Sequence, residues 1–289
     1  TDLAMALSDK INGELISVDS ALIYKDMDIG TAKPTPQELA QYPHKLISFL
    51  DPKEIYSAAD FVRDALIEIQ AAYDKGKTPI LVGGTMMYFK ALIEGISNLP
   101  EANEAVRAEI EQIAQEKDWA YVHSELAKVD PESAKRIHPN DPQRINRAYE
   151  VYKVSGQTMT ELMKAEKTPI PYEVKQFAFQ CDDKTLLHKR IEQRFHIMLQ
   201  QDFKSEVEAL YNRGDLHLDL PSMRSVGYRQ MWEHLEGKLD WDEMVFRGVV
   251  ATRQLAKRQL TWLRSWKGIS PLTIGNAKEN LQNIFKTLS

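Results

Sequence analysis

The chain has 289 residues, 43% of them apolar, 27% charged and 9% aromatic, which is enough for a large core or two and excludes a disordered or low-complexity protein. Its net charge of −5, from 37 Lys and Arg against 42 Asp and Glu, does not announce a nucleic-acid binder, so any such role must come from a local patch. No apolar run of roughly 18 residues argues for a membrane span, no secretory leader is read at the start, and the one cysteine, Cys181, excludes a disulfide framework; a reducing, cytoplasmic setting is expected.

In chain order, Leu3, Ala4, Leu7 and Ile11 recur at helical spacing, and Gly13 supplies a stop. Leu15–Val18 then reads as a parallel strand, apolar on both faces, with Asp19 at its carboxyl end. A helix followed by a buried strand is half of a βαβ unit, so a further strand is expected ahead of Thr1. Leu46–Leu50 reads as a second strand. Ser57–Asp60 is a capping box, opening an amphipathic helix to about Asp74 with Phe61, Leu66, Ile69 and Tyr73 near one stripe and Gly76 as its stop. Pro79–Val82 is a third strand that runs through Gly83, Gly84 and Thr85 into an apolar helix over 86–93, an α/β signature.

After Pro100 the composition shifts to Glu, Ala, Gln and Lys, and residues 101–135 read as helices outside the sheet. A rigid turn over 138–142 precedes a further helix over 143–154. Val174–Gln180 is a strand, and from Lys184 onward the pattern is helical. The expected fold is α/β: a parallel core from 1–99 and 166–289, whose C-terminal part is helical, interrupted by a helical insertion over 100–165.

Asp19 is the carboxylate of most interest, because ligands of open α/β sheets sit outside the strands' carboxyl ends. On position alone it serves equally well as a general base, a metal ligand or a turn cap. Gly83, Gly84 and Thr85 offer backbone N–H groups and a hydroxyl at a helix N-terminus, an anion site or simply a tight turn, the turn being somewhat favoured. Residues 244–278 contain no Asp or Glu but carry Arg247, Arg253, Lys257, Arg258, Arg264, Lys267 and Lys278, interleaved with Trp262 and Trp266. In an acidic chain this favours a phosphate-backbone surface over a merely solvated helix. Arg224 and Arg229 flank Gly227 and Tyr228, a segment able to grip phosphate and stack on a base, or else a plain loop. Arg144 with Arg147, and Arg190 with Arg194, share helix faces. The seven histidines show no metal-ligand spacing, and no zinc is expected.

Six strings spread in order along the chain are ISVDSALIYKDMDIGTAKP (16–34), YSAADF (56–61), LVGGTMMYFKAL (81–92), HPNDPQRINRAYEV (138–151), RSVGYRQMW (224–232) and TRQLAKRQLTWLR (252–264). Together they closely resemble the bacterial tRNA dimethylallyltransferases. The resemblance implies a P-loop-kinase-like core with a helical insertion. It also implies transfer of a dimethylallyl group from dimethylallyl diphosphate, with Mg²⁺, to N6 of the adenine 3′ of the anticodon in tRNAs that read U-starting codons. Thr1 matches the last residue of the family's phosphate loop, and the glycines and lysine of that loop are not in this sequence. By the same resemblance Asp19 is the base, with Thr85 and Arg194 beside it, and Thr1, Gly83, Gly84 and Arg190 are on the diphosphate side, Thr1 with Mg²⁺. The implied tRNA contacts are Asp19, Ser20, Ala21, Leu22, Thr85, Arg107, Gln143, Arg144, Ile145, Asn146, Arg147, Arg224, Ser225, Val226, Gly227, Tyr228, Arg229, Lys257, Arg258, Gln259, Leu260, Thr261, Trp262, Leu263 and Arg264. The partner is one anticodon stem-loop, gripped by a monomer. A small-molecule P-loop kinase, an adenylate isopentenyltransferase and a non-catalytic RNA-binding module are the competing readings, and the first two have no need of the acid-free basic segment.

Overall fold

A computed structural model describes residues 1–165, 167–181 and 183–288. They form two compact units, Thr1–Ile93 with the chain from Pro171 onward, and Glu94–Ile170. The first unit is the expected parallel α/β core. It opens with α1 (Asp2–Ile11), β1 (Gly13–Val18), α2 (Pro36–Gln41), β2 (His44–Lys45), α3 (Ala58–Asp74), β3 (Thr78–Gly83) and α4 (Met86–Glu94). Strands β2, β1 and β3 pair in that order, all parallel, with Leu15 opposite both His44 and Ile80. β1 is buried on both faces, as an apolar strand between two layers must be.

Helix α3 begins where the capping box places it: Asp60 N–H donates to the Ser57 hydroxyl at 3.1 Å, and Ser57 N–H donates to the Asp60 carboxylate at 3.0 Å. Three local expectations are corrected. Asn12, not Gly13, takes the left-handed position that ends α1, at φ 50. Gly13 instead begins β1, where a Cβ would lie 2.3 Å from Ile80 Cδ1. Leu46–Leu50 is not a strand, because Leu46 and Ser48 sit at φ 60 and 52 and coil the segment. Its backbone instead holds the loop after β1: Ser48 N–H donates to Leu22 O and Phe49 N–H to Ile23 O, both at 3.0 Å.

The C-terminal part of this unit contains β4 (Gln176–Gln180), α10 (Lys184–Gln200), α11 (Phe203–Tyr211), α12 (Tyr228–Leu235), α13 (Trp241–Ser265), β5 (Ile269–Thr273) and α14 (Ala277–Leu288). Strand β5 is the third correction. It pairs in parallel with β4, yet Gly268, Pro271 and Gly275 make it read as a break in a helical region. Leu7, Ile80, Phe177, Leu272 and Ile284 share one apolar cluster that joins the two small sheets through α1 and α14. A larger cluster packs Ile23, Tyr24 and Met27, from the loop after β1, against residues of α10 to α13 such as Phe195, Met198, Phe203 and Met244.

Gly83 faces β1 so closely that a Cβ would sit 2.1 Å from Val18 O. Backbone cannot yield as a side chain does, so Gly83→Ala is expected to lower stability by about 1–3 kcal/mol, read from the denaturant midpoint at unchanged m-value.

The second unit contains α5 (Glu104–Lys117), α6 (Trp119–Val129), α7 (Pro131–Arg136), α8 (Pro142–Ser155) and α9 (Met159–Lys164). Ile110, Val122, Leu126, Ile145 and Val151 form its dry centre. Among the described residues no helix is long and apolar enough to cross a membrane.

Candidate active site

Asp19 follows the last residue of β1, where the chain leaves the sheet. Its Oδ1 accepts the Ala21 N–H at 2.8 Å and the Leu22 N–H at 3.3 Å, so the carboxylate folds the turn back on itself. Burial pushes its pKa above the ordinary 3.8, against the opposing pull of these two bonds and of the Arg194 guanidinium on α10. A carboxylate in this state is a stronger base than one in water, and it is fixed in direction.

The Gly-rich turn lies beside it. Ser20 N–H donates to Thr85 Oγ1 at 2.9 Å, and that hydroxyl donates to Ser20 Oγ at 3.2 Å. Thr85 N–H is already spent on Val18 O at 3.2 Å, so the turn offers an anion fewer N–H groups than its sequence suggests. Gln259, far along α13, donates its side-chain amide to Gly84 O at 2.9 Å, and a Cβ on Gly84 would lie 2.6 Å from that nitrogen. The basic helix therefore rests directly on the turn beside Asp19. Arg190 and Arg194, one helical turn apart on α10, are exposed and make no ion pair among the described residues. The Thr1 hydroxyl, at the N-terminus of α1, makes no capping bond.

The sequence did not single out Tyr88. It follows Thr85 by three residues, hence on the same helix face. It is buried, stacks on Phe61 with ring centroids 4.5 Å apart, and donates to Tyr56 O at 3.3 Å. Burial, then the neighbouring Tyr24 and Asp19, raise its pKa, so it stays a neutral phenol beside the carboxylate.

Helix α13 buries only Met244, Gly248 and Val249, all in its first half. Arg247 and Arg253 are held by Glu243 at 2.6 Å and Glu192 at 3.1 Å. Lys257 and Arg258 are exposed with no ion pair among the described residues, and Arg264 bonds within its own helix to Leu260 O and Thr261 Oγ1. Trp262 keeps 37% of its surface exposed, with the Lys90 ammonium 5.6 Å from its ring centre. Leu260 and Leu263 are half-buried.

Arg224, in the turn before α12, and Arg229, in its first turn, are exposed and paired with Asp219 at 3.6 Å and Glu233 at 3.0 Å. Ser225 and Val226 are half-buried, and Gly227 is buried at φ 92. The stacking role read for Tyr228 is corrected: the ring is fully buried, edge-on to Phe203 at 5.1 Å, and out of reach of a base.

Arg107 and Gln143 to Arg147 belong to the second unit. Gln143 and Arg144 are exposed, and Arg144 pairs with Asp141 at 3.4 Å. Ile145 and Asn146 are buried in that unit's core, which leaves them no direct hold on a nucleic acid. Arg107 and Arg147 both bind the Glu150 carboxylate, at 2.9 and 2.7 Å, and Arg147 also donates to Pro100 O at 2.8 Å.

The family model of the IPP transferases matches residues 22–266. The whole structure is similar to that of the full-length tRNA isopentenylpyrophosphate transferase of Bacillus halodurans, with 33% identity over 99% of this chain and 90% of that one, and a TM-score of 0.71. It is similar to the corresponding Staphylococcus epidermidis transferase at 29% identity, over 99% of this chain and 94% of that one, with a TM-score of 0.71. A eukaryotic dimethylallyltransferase acting on tRNA superposes with a TM-score of 0.79 at 26% identity, over 98% of this chain and 74% of that one. With a match that runs through the Gly-rich turn, the insert and the basic helix, the chain belongs to the IPP transferase family of prenyl-transferring enzymes.

Proposed function

We propose that this protein transfers a dimethylallyl group from dimethylallyl diphosphate to N6 of the adenine just 3′ of the anticodon in tRNAs that read U-starting codons. One observation carries the proposal: a carboxylate of raised pKa at a strand end, joined through one turn and Gln259 to a helix whose Lys257 and Arg258 are exposed and make no ion pair among the described residues.

An exocyclic adenine amine is a poor nucleophile, because its lone pair is delocalised into the ring. Asp19 accepts a proton from that amine as its nitrogen bonds to the allylic carbon. The carbon–oxygen bond to diphosphate breaks, and the electron pair leaves with the diphosphate. Arg194 and Arg190 are the cations available to that departing charge, with the Thr85 hydroxyl beside the base. The Thr1 hydroxyl is a hard oxygen with no competing cap bond, and it is the residue that would help hold Mg²⁺. Held there, Mg²⁺ would supply positive charge to offset that of the leaving group.

Lys257, Arg258, Arg264 and Trp262 give the stem-loop a phosphate-and-stacking surface on α13. Arg224 and Arg229 extend it, and Arg107, Gln143, Arg144 and Arg147 add contacts from the second unit. Ala21, Leu22, Thr261 and the buried members of the motif shape these surfaces. The target adenine must leave its stack to reach Asp19. A single stem-loop fits one chain, so the working unit is a monomer in the cytoplasm.

Radiolabelled dimethylallyl diphosphate with Mg²⁺, given to the chain extended upstream of Thr1, tests the reading. Label is expected in unmodified tRNA, and neither in the same tRNA with that adenine changed to guanine nor in free AMP. Label in AMP would move the assignment to a free-nucleotide enzyme, and no label in any acceptor would refute prenyl transfer. Lys257→Ala with Arg258→Ala is expected to weaken tRNA binding and to reduce the slope of log K against log salt by about 1.4–1.8, with the rate at saturating tRNA preserved.

A further inference from the structure

The end of one recognisable string, Asp28–Pro34, and another, Arg224–Trp232, meet at a residue the sequence never singled out. Glu206 lies in the first turn of α11. Its Oε2 accepts the N–H groups of Asp28 at 2.9 Å and Ile29 at 2.7 Å, and its Oε1 accepts the Gly30 N–H at 3.1 Å and the Tyr228 hydroxyl at 2.5 Å. Successive N–H groups aimed at one carboxylate form a nest that favours an anion. Gly30 is needed for the approach, since a Cβ would lie 2.2 Å from the Phe203 ring and 2.5 Å from Tyr228.

This carboxylate fastens three segments. One is the loop that leaves Asp19. The second is α11, which follows the helix bearing Arg190 and Arg194. The third is the turn that carries Arg224 and opens α12. Lys33 secures the same loop from within: its nearly buried ammonium donates to Tyr24 O at 2.7 Å, Asp28 Oδ1 at 2.6 Å and Ser48 Oγ at 2.7 Å. Ahead of these anchors in the loop, Ile23, Tyr24 and Met27 insert into the core beside Phe195 and Met198 of α10.

We infer that Glu206 is a positioning residue, holding the Asp19 turn in register with Arg194, an inference that rests on reading Asp19 as the base. Glu206→Gln places an amide NH₂ where at least one N–H or O–H donor must point. Misplacement of a base by about 1 Å lowers a rate on the order of 10²-fold. Glu206→Gln is therefore expected to lower kcat per folded molecule about 10- to 100-fold, with KM for tRNA and for dimethylallyl diphosphate changed less than about threefold. Glu206→Asp, which keeps the charge, is expected to recover part of the loss. Tyr228→Phe, which keeps all three N–H donors, is expected to lose less, and it carries the test if Glu206→Gln does not fold. Hydrogen exchange over residues 19–24 is measured on the same proteins and is expected to quicken in Glu206→Gln. An unchanged kcat per folded molecule, or unchanged exchange over 19–24, would overturn the inference. If the wild-type protein transfers no prenyl group to any acceptor, the assignment of Asp19 fails instead, and exchange alone decides whether Glu206 holds that turn.

Discussion

Asp19→Asn is expected to lower the single-turnover rate of prenyl transfer about 10²- to 10⁴-fold, the usual worth of a general base, and to leave the protein folded. Asn keeps an oxygen at the same place, so the bonds from Ala21 and Leu22 N–H, at 2.8 and 3.3 Å, survive the substitution. What is lost is the ability to take a proton. The sign of the pH effect follows from burial, which raises the folded pKa above the ordinary 3.8 against those bonds and Arg194. Ionising Asp19 therefore opposes folding at pH above its unfolded value. The variant is expected to be as stable as the wild type at pH 7, or more so, by thermal denaturation. In the wild type the acid limb of kcat/KM lies above pH 3.8, and the limb vanishes from the residual activity of the variant. A variant that transferred the prenyl group at near wild-type rate would remove Asp19 from the mechanism.

Glu150→Ala has the largest expected effect on stability. The Glu150 carboxylate is 0% exposed and accepts from Arg107 at 2.9 Å, Arg147 at 2.7 Å and the Asn103 N–H at 2.7 Å. Removing one partner of a buried ion pair costs about 3–5 kcal/mol. The two arginines are 39% and 28% exposed and regain some water, which places the loss near the lower end of that range. Burial alone would raise the pKa of Glu150, but the bonds from Arg147, Asn103 and Arg107 together hold it below the ordinary 4.5. For a depressed carboxyl pKa the stabilisation is complete above the unfolded value and fades as pH falls below it. The gap in urea midpoint between wild type and Glu150→Ala should therefore be full at pH 7 and shrink below pH 4.5. A gap independent of pH would mean that Glu150 acts by packing alone.

These two carboxylates show what a one-dimensional reading reaches. Asp19 was visible because a short apolar strand ends on it and because strand ends are where such sheets bind ligands. Glu150 was not singled out, since its partners, Arg107 and the Asn103 N–H, lie more than 40 positions upstream in the chain. Arg147 carried a signal, its spacing from Arg144, but that signal pointed to a shared face for phosphate or solvent and not to Glu150. The structure turns its guanidinium toward Glu150 and Pro100. Gln259 was legible only as part of a basic string, and its bond to Gly84 spans 175 positions.

By itself the sequence determined the elements whose causes are local. The capping box at Ser57 starts a helix, the apolar run before Asp19 makes a parallel strand, and thirty-odd residues without an acid make α13 basic. Periodicity, capping and composition act over a few residues and leave their mark in order along the chain. Only the tertiary structure decided that Tyr228 points inward to Glu206, that β5 pairs with β4 despite its proline, and that burial raises the pKa of Asp19. Each of these depends on which distant groups exclude water from a side chain or meet its hydrogen-bonding atoms. Such pairings have no period, and they come into being when the segments pack.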